Sequence, residues 1–156
     1  SGGQVANAIN DTRLIGALLV AAEATGSAGA CLDTIVDYLK TRKQFGVPIG
    51  TFQALQHRMV DMVIATEQAR SMCYLACSKV DGANDARERS RVVSAAKIKV
   101  ADSARLVSQE SIQMHGGIGM TMEYDLGHLA KRLTMIDHRF GDTDYHMERF
   151  IELAVA

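Results

Sequence analysis

Two clusters in this chain of 156 residues carry the side-chain types that handle a bound anion and a flat ring. The first is Thr41-Arg42-Lys43-Gln44-Phe45-Gly46-Val47-Pro48-Ile49-Gly50, where a guanidinium can fork onto a phosphate and an aromatic ring can stack on a heterocycle. The same residues also suit a basic helix end that complements its dipole, with Phe45 and Ile49 plugging the end of a bundle. The second is Ile112-Gln113-Met114-His115-Gly116-Gly117-Ile118-Gly119, with three glycines within four residues. Glycine lets backbone N–H groups close on an anion or a ring and admits positive φ, but it equally serves a helix stop followed by a reversal. Taken singly, each cluster reads more readily as structure than as a site. His115 reads as a packed or solvent-facing histidine.

Other reactive types are sparser. Glu23 stands among small residues, Leu19-Val20-Ala21-Ala22-Glu23-Ala24-Thr25-Gly26, with no cation within one helical turn. Desolvated there it could act as a base; the plainer role is a glutamate on a solvated or subunit-facing helix side. Asp125-x-x-His128 is half of a bundle metal motif, but the remaining carboxylates and the second histidine pair are missing, so no metal site is expected. Cys31, Cys73 and Cys77 are odd in number and sit in apolar helical surroundings, which reads as reduced core thiols. Lys131, Arg132, His138, Arg139, His146 and Arg149 make the last quarter basic, suiting a bound phosphate and, more simply, a solvated helix face.

The elements that must position these residues are helices. With one proline and four each of Phe and Tyr, strand character is slight, and Ala, Leu and Met dominate long stretches. The first helix is predicted over about Asn10 to Thr41, where Gly16, Gly26 and Gly29 mark places for another helix to come close. The second starts at Thr51, with the hydroxyl as cap, and carries Phe52, Leu55, Met59, Met62, Val63, Thr66, Ala69, Cys73, Ala76 and Val80 as its core stripe to Gly82. A third, capped by Asn84 or Asp85, carries Val92, Val93, Ala96, Val100, Ala104, Val107, Ser111 and Met114 until Gly116 stops it. Shorter helices follow over Glu123 to Leu133 and Thr143 to Leu153. Long helices joined by short turns give an all-α, up-and-down antiparallel helical bundle, and residues 1–156 form a single domain.

Apolar residues make up 47% of the chain, enough for a core without disulfides or metal. The net charge of −1 offers no basic field for nucleic acid or an anionic membrane, so any anion site is local. No signal peptide is evident, and no apolar run approaches the roughly 20 residues of a membrane span. A cytoplasmic protein is expected.

In order and spacing, these pieces resemble the C-terminal helical domain of the acyl-CoA dehydrogenases. The residues that carry the resemblance are Arg42-x-x-Phe45-Gly46-x-Pro48-Ile49, Phe52-Gln53-x-x-Gln56-His57-x-x-x-Asp61-Met62, Gln113-x-x-Gly116-Gly117-x-Gly119 and Glu123-Tyr124 followed by Lys131-Arg132. The resemblance implies the last of three domains of a larger flavoprotein that assembles as a dimer or tetramer. It also implies an FAD shared with a missing domain or partner subunit. Arg42 and Phe45 would contact its diphosphate and adenine, Gln53 and Gln56 would lie at the same junction, and Gln113, Gly116 and Gly117 would line it from the second loop, with Thr143 as a further cofactor-side residue. The substrate of the complete protein would be an acyl-CoA.

The family pattern breaks at its catalytic base. Most members carry a glutamate in Tyr-Glu-Gly-Thr before the last helix; here the stretch is Arg139-Phe140-Gly141-Asp142-Thr143, with Gly141 at the base position when Thr143 is the anchor. A minority keep the base on the first long helix, at a position that falls near Gly16. Asp142 could serve with a shift of one residue, although capping the final helix suits it better. Glu23 is the other candidate, seven residues beyond the minority position. As an isolated chain the domain should be inactive. Two further possibilities remain: a non-catalytic partner subunit of a hetero-oligomer rather than a homo-oligomer, or a flavin monooxygenase or oxidase that needs no such base.

Overall fold

A computed structural model describes residues 2–82 and 85–155. Five helices run in the order α1 (Gly2–Thr41), α2 (Gln53–Gly82), α3 (Ala86–His115), α4 (Asp125–Ile136) and α5 (Thr143–Val155). Up-and-down connection places the C-terminal ends of α1 and α3 and the N-terminal end of α2 at one end of the bundle. Helix α3 is the central element and packs against each of the other four. Its buried positions explain how: Ala96, Val100, Ala101, Ala104, Val107, Ser108 and Ser111 are small enough to let several neighbours approach. Its serines bond outward, Ser103 Oγ to Ala65 O on α2 at 2.9 Å and Ser108 Oγ to Ala130 O on α4 at 2.9 Å. The main core joins Cys31 and Ile35 of α1, Met62 of α2, Val107 of α3 and Leu126, Leu133 and Ile136 of α4, all essentially inaccessible. Full burial of a large apolar side chain contributes roughly 1.5–3 kcal/mol, so this cluster dominates stability. A smaller cluster around Ala17, Ala76, Val92, Val93 and Ala96 closes the other end.

Several sequence expectations shift. Helix α1 starts at Gly2 rather than Asn10, its first turns exposed and propagated from the buried part. Helix α2 starts at Gln53, because Ile49–Thr51 forms a 3-10 turn and Phe52 is extended; the Thr51 hydroxyl donates back to Pro48 O at 2.8 Å instead of capping. Asp85 does cap α3, accepting from Arg87 N at 2.9 Å, while Asn84 lies outside the described residues. Val63 and Phe52 face outward, and Cys77 is exposed whereas Cys31 and Cys73 are buried. Of the glycines expected to admit a neighbour, only Gly16 has one within close range; Gly26 faces open space and Gly29 only the end of Arg70. Helix α1 is long and apolar enough to cross a bilayer by length and composition, contrary to expectation, but half of that stretch is buried inside the bundle.

Candidate functional site

The first junction folds into a minimal hairpin, β1 (Lys43–Gln44) against β2 (Val47–Pro48), which the composition did not announce. Ile49 N donates to Arg42 O at 2.8 Å and closes it onto the end of α1. The two turn residues, Phe45 and Gly46, have φ of 55° and 82°. Such a turn matches the strand twist, but it favours Asn-Gly, and a phenylalanine in the left-handed region is strained by roughly 1 kcal/mol. No burial offsets that strain. Phe45 is 91% exposed, with only an edge contact to Phe52 at 6.0 Å between centroids.

Around the tip, side chains are uncommitted. Arg42, Gln53 and Gln113 are exposed and make no side-chain hydrogen bond or ion pair among the described residues. Gln56, by contrast, donates from Nε2 to Gly50 O at 2.9 Å and holds the turn. In the second junction the glycines answer to different needs. Gly116 ends α3 at φ 62°, its N–H shared between Ile112 O and Gln113 O. Gly119 is required by packing, since a Cβ there would meet His115 Cβ at 3.0 Å. Gly117 is exposed with nothing within 4 Å of a Cβ, so neither φ nor internal packing explains it.

The junctions are tied by His115, which is buried rather than solvent-facing. Its ring stacks on Tyr38 of α1 at 4.3 Å, and the Tyr38 hydroxyl donates to His115 O at 3.4 Å. Because Ser111 O can only accept, Nδ1 carries the proton and donates to it at 2.9 Å, leaving Nε2 to accept from the Tyr124 hydroxyl at 3.3 Å. Burial pushes this imidazole below the ordinary histidine range. Tyr38 had no signal in the sequence beyond its place one turn before Arg42.

A second site lies toward the other end of α1. There a cavity of about 570 Å³ opens between residues 10–17 of α1, residues 90–94 of α3, the α4–α5 loop and the start of α5. The loop, Asp137 to Asp142, is pinned from behind. Lys97, 2% exposed, donates to Ile136 O at 3.3 Å and to Asp137 O and Gly141 O at 3.0 Å each, completing the carbonyl end of α4. Its ammonium is held below the usual lysine range, by burial first, against the opposing pull of Asp137 and Asp142. His146 is also buried; Nε2 donates to Phe140 O at 3.1 Å and Nδ1 accepts from Ser94 Oγ at 3.2 Å. Burial pushes His146 down to about 4, with Lys97 and Arg149 pushing the same way and the bond to Phe140 O opposing. The solvated face expected of the basic last quarter therefore fails here: His146 is interior, and Arg149 is half-buried, bonded to Asn10, Ser90 and Tyr145.

Both positions where a base was sought are sterically closed. A Cβ on Gly16 would overlap the Phe140 ring, with Cζ at 2.6 Å. One on Gly141, at φ 101°, would meet Tyr145 Cε1 at 2.8 Å and His146 Nε2 at 3.0 Å. Asp142 is exposed at the cavity edge and caps α5, Oδ1 accepting from Tyr145 N at 2.9 Å. Thr143 donates to Asp137 Oδ1 at 3.1 Å. Glu23 is not isolated from cations as its sequence neighbours suggested: Arg132 of α4 donates to it at 2.6 Å, and Arg139 stands at 4.0 Å. No group of metal-ligating side chains occurs among the described residues.

Comparison with known proteins fits this geometry. Residues 5–152 match the family described as acyl-CoA dehydrogenase, C-terminal domain. The acyl-CoA dehydrogenase IpdE2 of Mycobacterium tuberculosis is 40% identical over 116 residues, 74% of this chain and 34% of that protein. Among solved structures, PigA with FAD and proline has a TM-score of 0.85 at 28% identity, covering 92% of this chain and 37% of that one. The Tcur3481-Tcur3483 steroid ACAD has a TM-score of 0.81 at 30% identity, covering 88% and 37%. The chain spans about a third of the length of the curated relatives it matches. By this match over nearly its whole length, the chain belongs to the acyl-CoA dehydrogenase family, as its C-terminal domain.

Proposed function

We propose that this domain completes the FAD site of an acyl-CoA dehydrogenase and joins its oligomer, with no dehydrogenase activity of its own in isolation. The observation that carries the reading is the convergence, at one end of the bundle, of groups left without internal partners. Arg42 offers a free guanidinium to the diphosphate, Phe45 a strained, exposed ring to the adenine, and Gln53 and Gln113 free amides. Gly116 and Gly117 present backbone without a Cβ, and Gln56 shapes the turn. Thr143, bonded to Asp137 toward the other end of the bundle, would support the α4–α5 loop rather than this grip. FAD, when bound, supplies the hydride acceptor. The acyl group would sit in the cavity beside Gly16 and Gly141. Purified chain should show no stoichiometric flavin spectrum, because most of the cofactor site lies on other domains. Added at millimolar concentration, FAD should shift amide resonances of residues 42–56 and 113–119 only. A stoichiometric flavin spectrum, or shifts elsewhere, sinks the proposal.

A second reading, that the complete protein is the non-catalytic member of a hetero-oligomer, is favoured by the closure of both base positions. Glu23, ion-paired on the surface, is poorly placed to compete as a base. Asp142 is the carboxylate of this chain that lines the cavity. Robust activity of the homomeric complete protein, abolished by Asp142→Asn, would overturn the partner-subunit reading and make Asp142 the base.

A further inference from the structure

The cavity has an unusual charge balance for a site that takes hydrocarbon. Four of its lining side chains, Leu14, Ala17, Val93 and Phe140, are apolar. Two guanidiniums, Arg13 and Arg149, stand in its wall against the single carboxylate of Asp142. Neither arginine is neutralised. Arg13 is exposed and makes no side-chain hydrogen bond or ion pair among the described residues. Arg149 donates only to neutral oxygens, at 2.8 Å to Asn10, 3.2 Å to Tyr145 and 3.5 Å to Ser90, which fix its position without cancelling its charge. The same partners hold the half-buried guanidinium in place, so a ligand would not have to order it. Asp142 has one oxygen committed to the α5 cap. His146 stays neutral near pH 7 and adds no charge.

We infer that this cavity selects an acyl group that itself bears a carboxylate, the hydrocarbon lying on the Phe140 side and the anion between Arg13 and Arg149. The inference rests on the acyl-CoA reading above. A neutral acyl chain gains nothing from the two guanidiniums, whereas a carboxylate engages both with charge-assisted bonds. At about 570 Å³ the cavity falls within the range of small-molecule sites and accommodates a medium-length or ring-bearing acyl group. The apolar lining side chains disfavour a free inorganic anion, which would gain nothing from them.

The test uses the full chain with two soluble probes, monomethyl suberate, which has one ester and one carboxylate, and dimethyl suberate, which has none. Binding is followed by amide and side-chain shifts of Val93, Phe140 and Tyr145. The monoester should bind at least tenfold more tightly than the diester, and Arg13→Gln should remove most of that preference. Arg149→Gln should do the same, but it also cuts bonds between helices, so Arg13→Gln is the decisive variant. Equal binding of the two esters, or no shift with either, overturns the inference. Displacement of the monoester by CoA but not by 3′-dephospho-CoA also overturns it, because the arginines would then serve the coenzyme phosphate. The FAD-induced shifts at residues 42–56 and 113–119 are read separately, so failure here leaves the cofactor reading standing, and the converse holds.

Discussion

Phe45 sits in a conformation that costs stability without a compensating contact. Its backbone is left-handed, its ring is 91% exposed, and Asn at the same place would fit the two-residue turn better. Phe45→Asn is therefore expected to raise stability by about 0.5–1 kcal/mol, read as a higher denaturation midpoint, while weakening FAD retention in the complete protein. A variant that loses stability and keeps FAD would assign the ring to folding instead. The motif around Phe45 was visible in the sequence, because Arg, Phe, Gly and Pro at fixed spacing are local. The strain was not, since it depends on which turn the hairpin adopts. Arg13 is the opposite case. Nothing in its neighbours distinguishes it, and its significance arises only when the far end of the chain brings Arg149 to the same cavity.

Among the elements, the five helices and their order followed from periodicity, and errors collected at the ends, where Thr51 lost its capping role to a 3-10 turn. What periodicity could not reveal is how the α4–α5 loop is held. Lys97 falls on the buried face of α3, next to Ala96 and Val100, and a lysine in such a stripe was the one available hint; its carbonyl partners lie some 40 residues later. His146, which holds Phe140 O, makes this loop sensitive to acid. Its folded pKa of about 4 lies below the unfolded value near 6.5, so the unfolded chain binds the proton first. Stability contributed by the neutral imidazole is thus complete above pH 6.5 and declines as pH falls toward 4, by at most about 3 kcal/mol. Denaturation midpoints measured across that window should fall for the natural chain. For His146→Gln they should fall less steeply, and an unchanged slope would mean that other groups dominate acid unfolding.

For the molecule as a whole, the separation of its two sites along α1 constrains the assembly. Gly16 beside the cavity and Arg42 at the hairpin are 26 residues apart on and just beyond one helix, about 39 Å at 1.5 Å per residue. One dinucleotide cannot lie across the hairpin and also reach a substrate in that cavity. On the proposed reading, in which Arg42 grips FAD and the cavity near Gly16 takes the acyl group, the two serve different active centres, and each centre needs parts from more than one subunit. Subunit mixing tests this in the complete protein. One copy carries Arg42→Gln and the other Leu14→Trp, which fills the cavity, under conditions where each variant alone is inactive. Random pairing of two such copies creates mixed dimers in which one centre receives both intact parts, so activity should return to roughly a quarter of the unaltered level. If mixing restores nothing, hairpin and cavity belong to the same centre, and the geometry along α1 would have to be bridged by a rearrangement of the bundle.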